Sequence, residues 1–246
     1  MRALCLLTIL AATASLHSAE VLPIAQPLNL PDPDREGQEL AAKLRDAMPD
    51  GDSRFSGTFQ IVTRDDEVRH IPVSSEIKIH STNWVVTYQT TPTNKAAPES
   101  LTITHTPGGP TTYSYAVGGK AVTPVPLGAA FARTDFSVLD LGLEFFHWPK
   151  QRRLRHEMRN SRNCHVLEST IRNATDSPYA RVLSWVDIES GGIVRAEAFD
   201  RNGKTVKEFK VGKFRKVDGR WQLESLRIGT RATGHETELK FDLENK

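Results

Sequence analysis

From Arg54 onward, apolar and polar residues alternate at every second position, and this period of two constrains the fold more than any other feature. Phe55, Gly57, Phe59 and Ile61 alternate with Ser56, Thr58 and Gln60, and Ile77 and Ile79 with Glu76, Lys78 and His80. Trp84, Val86 and Tyr88 alternate with Asn83, Thr87 and Gln89, with Val85 breaking the pattern. Leu101 and Ile103 follow with Thr102 and Thr104, then Tyr113, Tyr115 and Val117 with Thr112 and Ser114. Successive strand side chains point to opposite faces, so each run reads as an antiparallel strand with one apolar and one wet face. Pro107-Gly108-Gly109-Pro110 and Gly118-Gly119 supply turns between them.

The habit resumes after a break from Phe131 to Lys150. Strands are predicted at Arg152–Met158, Cys164–Ile171, Tyr179–Asp187, Ile193–Phe199, Lys204–Phe214, Trp221–Ile228 and His235–Leu243. Ser190-Gly191-Gly192, Arg201-Asn202-Gly203, Asp218-Gly219 and Thr233-Gly234 punctuate them as hairpin turns. In the last run Thr237, Leu239, Phe241 and Leu243 face one way and Glu236, Glu238, Lys240 and Asp242 the other. Gly212 shifts the phase between Val211 and Phe214, which predicts a bulge. In Lys150–Arg159 the alternation places Arg153, Arg155 and Glu157 outward and Leu154, His156 and Met158 inward. No repeat of solenoid or propeller length is visible. Up to about twelve strands in one sheet must curl. The predicted class is therefore mainly β with few helices: a curved antiparallel sheet forming a half-open barrel covered by helices.

Two segments break the period. Asp32-Pro33 offers an N-cap and a first-turn proline, Leu40, Leu44, Ala47 and Met48 follow at helical spacing, and Pro49 stops the run. Gly37 weakens that helix slightly. The second segment is Thr134–Trp148, where Thr134 or Asp135 can cap a helix over Phe136–Trp148. Phe136, Leu139, Leu143 and Phe146 form one stripe, and Leu141, Phe145 and Trp148 a second. A helix apolar on two sides is a plain core helix or a cover over the mouth of the sheet. Gly142 in its middle permits close packing or loosens a hinge.

The first residues carry Arg2, an apolar core from Ala3 to Leu10 and then small residues, the three-part pattern of a secretory signal. Cleavage after Ala19 is favoured over Ala14. The expected organisation is a signal peptide at 1–19, a proline-rich tail at 20–33 and one half-barrel domain at 34–246. Cys5 lies inside the signal, so Cys164 alone remains and no internal disulfide is available. Location in the periplasm, soluble and exported, is the expectation. No apolar run is long enough to cross a bilayer, and a net charge of +2 lacks the basic footprint of a nucleic-acid binder.

Motifs of catalysis and metal binding are missing. His156, Cys164 and His165 match no zinc spacing, and Cys164 and His165 point to opposite faces of a strand. His235-Glu236 lacks the second histidine of a zincin helix. Gly118-Gly119-Lys120 is no phosphate loop, and no Gly-x-Ser-x-Gly element occurs. Asn173-Ala174-Thr175 is a formal glycosylation sequon, meaningful only in a eukaryotic secretory route. No nucleophile and base stand out, so the expectation is a protein without enzymatic activity.

Several stretches carry a resemblance: Thr134–Ser137 (TDFS), Leu141–Pro149 (LGLEFFHWP), Cys164–Ser169 (CHVLES), Arg181–Asp187 (RVLSWVD), Ala196–Lys204 (AEAFDRNGK), Lys216–Trp221 (KVDGRW) and Thr233–Thr237 (TGHET). Together they resemble the outer-membrane lipoprotein-sorting protein family, the LolA-like half-barrels. The resemblance covers roughly Thr134 to Leu243, and the first half agrees in pattern only. It implies an antiparallel sheet closed by helices over an apolar cavity, no cofactor, acyl chains of lipid or lipoprotein as ligand, and an envelope protein as a further partner. On the sheet the ligand-facing candidates are Phe59, Ile77, Trp84, Val86, Tyr88, Leu101, Ile103, Tyr115, Leu239 and Phe241. On the cover they are Phe136, Leu139, Leu141, Phe145 and Trp148. Two functions compete: a carrier or envelope sensor that holds acyl chains, and a structural or interaction module whose core is filled.

Overall fold

The computed structural model describes residues 32–92, 96–172, 177–217 and 220–243. The signal segment, the tail before Asp32, the sequon at Asn173 and the Asp218-Gly219 turn lie outside them.

The chain begins with helix α1 (Pro33–Arg45) and then runs through strands β1 (Ser53–Val62), β2 (Val68–Ile79), β3 (Trp84–Thr90), β4 (Glu99–His105), β5 (Thr112–Val117) and the short β6 (Lys120–Ala121). A linking segment contains helix α2 (Val138–Leu141), flanked by 3-10 turns at Phe131–Arg133 and Glu144–His147. Strands β7 (Lys150–Arg159), β8 (Arg162–Thr170), β9 (Arg181–Asp187), β10 (Ile193–Phe199) and β11 (Thr205–Val211) follow. The chain then passes through β12 (Phe214–Val217), β13 (Arg220–Leu223), β14 (Ser225–Thr230) and β15 (His235–Phe241).

Thirteen strands form one curved, unclosed antiparallel sheet in the order β6-β5-β4-β3-β2-β1-β15-β14-β11-β10-β9-β8-β7. The edge strands β6 and β7 are consecutive in the chain and do not pair. The linker between them, Val122 to Pro149, crosses the inner face instead. The period-two phase is the observed one: Trp84, Tyr88, Ile103, Tyr115 and Phe241 are all buried in one cluster. The opposite face of β2 to β5 carries Ser74, Thr87, Thr102 and Ser114, as the alternation predicts.

The expected strand Lys204–Phe214 divides at Gly212, and Trp221–Ile228 divides at Glu224, because β12 and β13 leave the sheet as a separate hairpin. The cause is a close approach. A Cβ on Gly212 would stand 2.3 Å from Ser225 Oγ and 2.8 Å from Ser225 O.

A second correction concerns β7. Its register with β8 shifts between Arg153 and Arg155. The shift turns Arg153 inward to an ion pair with Glu36 of α1, while Leu154 packs on the outer cluster of Cys164, Val166, Trp185 and Val194. Beyond the bulge the expected phase returns: Arg155 and Glu157 lie on the outer face, and His156 meets His165 inside. Met158 is 46% exposed, against expectation, because it lies beyond the reach of α1 near the end of an edge strand.

Helix α1 forms as its sequence dictates. Asp32 caps it by accepting from Arg35 N at 2.9 Å, and Ala41 and Leu44 are buried on the inner face with Leu167. The helix ends at Arg45, so Met48 falls beyond it and is 40% exposed. Gly37 is more than a weak helix former, since a Cβ there would stand 2.5 Å from Arg152 Cα and N. Only glycine lets α1 lie backbone-to-backbone on β7.

Gly37→Ala therefore sets a gain of about 1 kcal/mol in helix propensity against an overpacking cost of roughly 1–3 kcal/mol. The expected result is net destabilisation in chemical denaturation. Gly51→Ala, with nothing within 4 Å of the added methyl, is the neutral control.

Candidate functional site

The candidate site is the interface between the linker and the inner face. The linker is not the single helix predicted over Phe136–Trp148. Ser137, and neither Thr134 nor Asp135, caps α2: its hydroxyl accepts from Asp140 N, and Asp140 accepts in return from Ser137 N at 2.8 Å. The helix stops at Gly142, and Leu143 takes a left-handed conformation (φ 52°, ψ 35°) before the next turn begins. Gly142 serves close packing, since a Cβ there would lie 2.2 Å from Tyr113 Oη. The break redistributes the two stripes. Phe136 and Leu141 enter the core beneath β1 to β5, whereas Leu139, Leu143, Phe145, Phe146 and Trp148 enter the core beneath β8 to β10.

Polar staples fix the linker along its length. Asp135 N donates to Thr237 Oγ1 at 3.0 Å, and that hydroxyl donates to Asp135 Oδ2 at 2.7 Å. Gln151 Nε2 donates to the carbonyls of Phe145 and Trp148, both at 2.9 Å, and Ser169 Oγ donates to Gln151 Oε1 at 2.7 Å. Near the open edge Tyr113 Oη donates to Glu144 Oε2 at 2.6 Å, and Thr111 Oγ1 bonds His147 Nε2 at 2.9 Å. Burial pushes the Glu144 carboxyl upward, and the Tyr113 hydrogen bond offsets part of that shift.

The strongest polar feature is centred on Asp140. Lys207 Nζ of β11 lies 2.6 Å from its Oδ2, and Tyr179 Oη donates to its Oδ1 at 2.5 Å. Burial pushes the Asp140 carboxyl upward, but the Lys207 ammonium with the Ser137 and Tyr179 hydrogen bonds outweighs it and holds the group below the usual carboxylate range. Burial and the Asp140 charge raise the Tyr179 phenol.

Beside this pair lies an apolar cavity of about 40 Å³, bounded by Phe136, Leu143 and Phe145 of the linker and by Val182, Ile193, Ala196, Ala198, Phe209 and Ile228 of the sheet. Asp140, Tyr179 and Lys207 border it on one side. Of the sequence candidates, only Phe136 and Phe145 border this cavity. Phe59, Ile77, Trp84, Val86, Tyr88, Leu101, Ile103, Tyr115, Leu141, Leu239 and Phe241 are packed together in the larger core, and Leu139 and Trp148 in the second. The alternation missed Asp140, Lys207 and Gln151. A signal existed: Lys207 occupies the inward phase of β11, ahead of Phe209 and Val211, where an apolar residue belongs.

His156 and His165 meet with ring centroids 4.5 Å apart and planes tilted by 54° on the inner face, and Cys164 is buried on the other. Burial pushes the Cys164 thiol up to about 11. At the far end of the inner face His105 stacks on Trp84, rings 5.0 Å apart, and burial pulls it down to about 4.

Two outcomes follow from these charges. Lys207→Met strands Asp140 without its counter-ion and is expected to cost about 3–5 kcal/mol in denaturation. Adding Asp140→Asn should restore a large part of that loss. In the second case, His105 binds its proton less readily folded than unfolded, where its pKa is near 6.5. Its contribution is fully present above about pH 6.5 and is lost as pH falls toward 4. Denaturation across that range should show falling stability, and His105→Gln should flatten the slope.

No curated protein matches the sequence. The structure is similar to the crystal structure of a DUF1329 family protein from Desulfovibrio piger, with TM-score 0.69 at 17% identity over 86% of this chain and 92% of that one. It is similar to an outer membrane lipoprotein-sorting protein domain from Vibrio parahaemolyticus, with TM-score 0.65 at 17% identity over 85% of this chain and 91% of that one. A LolA superfamily protein from Nitrosomonas europaea follows at TM-score 0.58 and 15% identity, over 85% of this chain and 91% of that one. A family model described as an uncharacterized protein matches residues 81–244. The chain belongs to that family, and its fold is the open half-barrel of the lipoprotein-sorting proteins.

Proposed function

We propose that this protein is an exported periplasmic binder of acyl chains, from lipid or lipoprotein, that holds them between the inner face of the sheet and the linker. The observation that carries the reading is the apolar cavity at that interface, walled by the small side chains of Ala196 and Ala198. The shared fold supports it. Among the described residues no helix is long and apolar enough to cross a membrane, and no cluster of metal-ligating side chains occurs.

At about 40 Å³ the cavity is far below the roughly 300–1,000 Å³ of ordinary ligand pockets. This is a closed form, and uptake requires the linker to lift. Burying a chain of about 16 carbons is worth on the order of 12 kcal/mol gross, at roughly 0.8 per CH₂. Lifting the linker gives up the Asp140–Lys207 contact, the staples at Thr237 and Gln151 and the burial of Phe136 and Phe145, and the acyl chain offsets this by taking their place against the sheet. A second reading, a filled interaction module of the envelope without enzymatic activity, is favoured by the density of polar staples that hold the linker down.

Organic extraction of gently purified protein followed by mass spectrometry separates the two. Binding predicts co-purified acyl lipid, and after delipidation a change in tryptophan emission on adding palmitate that Trp148→Phe removes. Ala198→Leu fills the cavity at about 1–3 kcal/mol and should block uptake. Absence of lipid and of any palmitate response establishes the filled module.

A further inference from the structure

The inward register of β1 to β5 is apolar or neutral except at two residues, Arg69 of β2 and Glu99 of β4. Both stand at the same end of the sheet, where the linker enters. Glu99 Oε2 accepts from Tyr115 Oη and from Ala132 N, the latter at 2.8 Å. Arg69 is held less well: its Nη2 reaches Arg133 O at only 3.5 Å, and its Nε is buried with no hydrogen-bond partner among the described residues. Arg153 Nε and Arg159 Nε are buried without a partner as well, but neither borders this groove, and the planar Arg69 fork matches the geometry of a phosphate.

The linker adds a second cation at this spot. Ala132 and Arg133 are consecutive left-handed residues, φ 52° and 55°, a costly backbone for side chains larger than glycine. The hydrogen bond from Ala132 N to Glu99 fixes that turn, and Arg133 is exposed beside Arg69. The two arginines line a groove of about 500 Å³ together with His70, Thr90, Thr91 and Glu99, and Val68, Ala97 and Ala132 are among its apolar walls. Val68 is 49% exposed there, although it begins a strand.

We propose that this groove binds a phosphate group, held by the Arg69 fork and the Arg133 charge, and that the apolar rim accommodates the carbon chain attached to it. The source is either a phospholipid headgroup or a soluble phosphate. The site lies apart from the cavity at Asp140 and does not require acyl chains to enter beneath the linker.

The test titrates the full exported chain with inorganic phosphate, and with dihexanoyl phosphatidic acid below its micellar concentration, by calorimetry and phosphorus NMR. Saturable binding of either probe is expected, weakened at least tenfold by Arg69→Gln and about fivefold by Arg133→Gln. Lys240→Gln on the outer face should leave it unchanged. Lipid binding tenfold or more above phosphate identifies a headgroup site, and equal binding identifies a soluble phosphate; both support the groove. Should Arg69→Gln fail to fold, the exposed Arg133→Gln decides alone. No binding, or binding indifferent to both arginines, overturns the proposal. Palmitate uptake by Arg133→Gln should match the wild type, which keeps this result separate from the acyl reading.

Discussion

The sheet never closes, and the rest of the structure answers that fact. Thirteen strands present one long apolar face whose two edges, β6 and β7, are adjacent in sequence and apart in space. Leaving such a face in water would cost about 25 cal/mol for every Å² exposed. Among the described residues α1 covers the β7–β8 end of that face, and the linker between the edge strands lies across the rest. Its brokenness follows from the same demand. One straight helix could present two stripes, but it could not drop Phe136 and Leu141 into one core and Phe145 and Trp148 into the other.

A cover that crosses a sheet must bring its own backbone groups with it, and those cannot pair with strands running beneath it. The inward face therefore places single polar side chains where the linker needs them: Thr237 for Asp135, Gln151 for the carbonyls of Phe145 and Trp148, Lys207 and Tyr179 for Asp140. Lys207 and Thr237 each stand in the inward row of a strand whose next inward positions are apolar, Phe209 and Leu239. A buried ion pair adds little net stability over an apolar contact of the same shape, yet removing one partner is expensive because it leaves the other charge buried and uncompensated.

The outer face of the second half solves a different problem, since among the described residues no second layer covers it. Trp185 is buried there by guanidinium groups, with Arg159 5.0 Å and Arg195 5.7 Å from its ring centroid. Their charges are in turn met by Glu157, Glu197 and Glu208. Long arginine stems cover apolar surface and keep the charge wet, which lets a single sheet carry an apolar cluster on its solvent side.

The sequence alone determined what depends on neighbours in the chain. Alternation set which side of most strands is apolar, Asp32-Pro33 started α1, and the glycine turns marked the hairpins, because all of these are encoded within a few residues. The motifs from Thr134 onward carried the half-barrel resemblance. Tertiary structure decided the rest. The bulge that reverses Arg153 and Leu154 puts Arg153 on Glu36, and the glycines that the sequence marked as breaks, Gly212 and Gly142, stand against Ser225 and Tyr113, partners distant in the chain. The pairing of Asp140 with Lys207 spans 67 positions, and nothing local to either residue specifies it. Periodicity reports which face a side chain takes, while its partner is chosen by whatever the folded chain carries across that face.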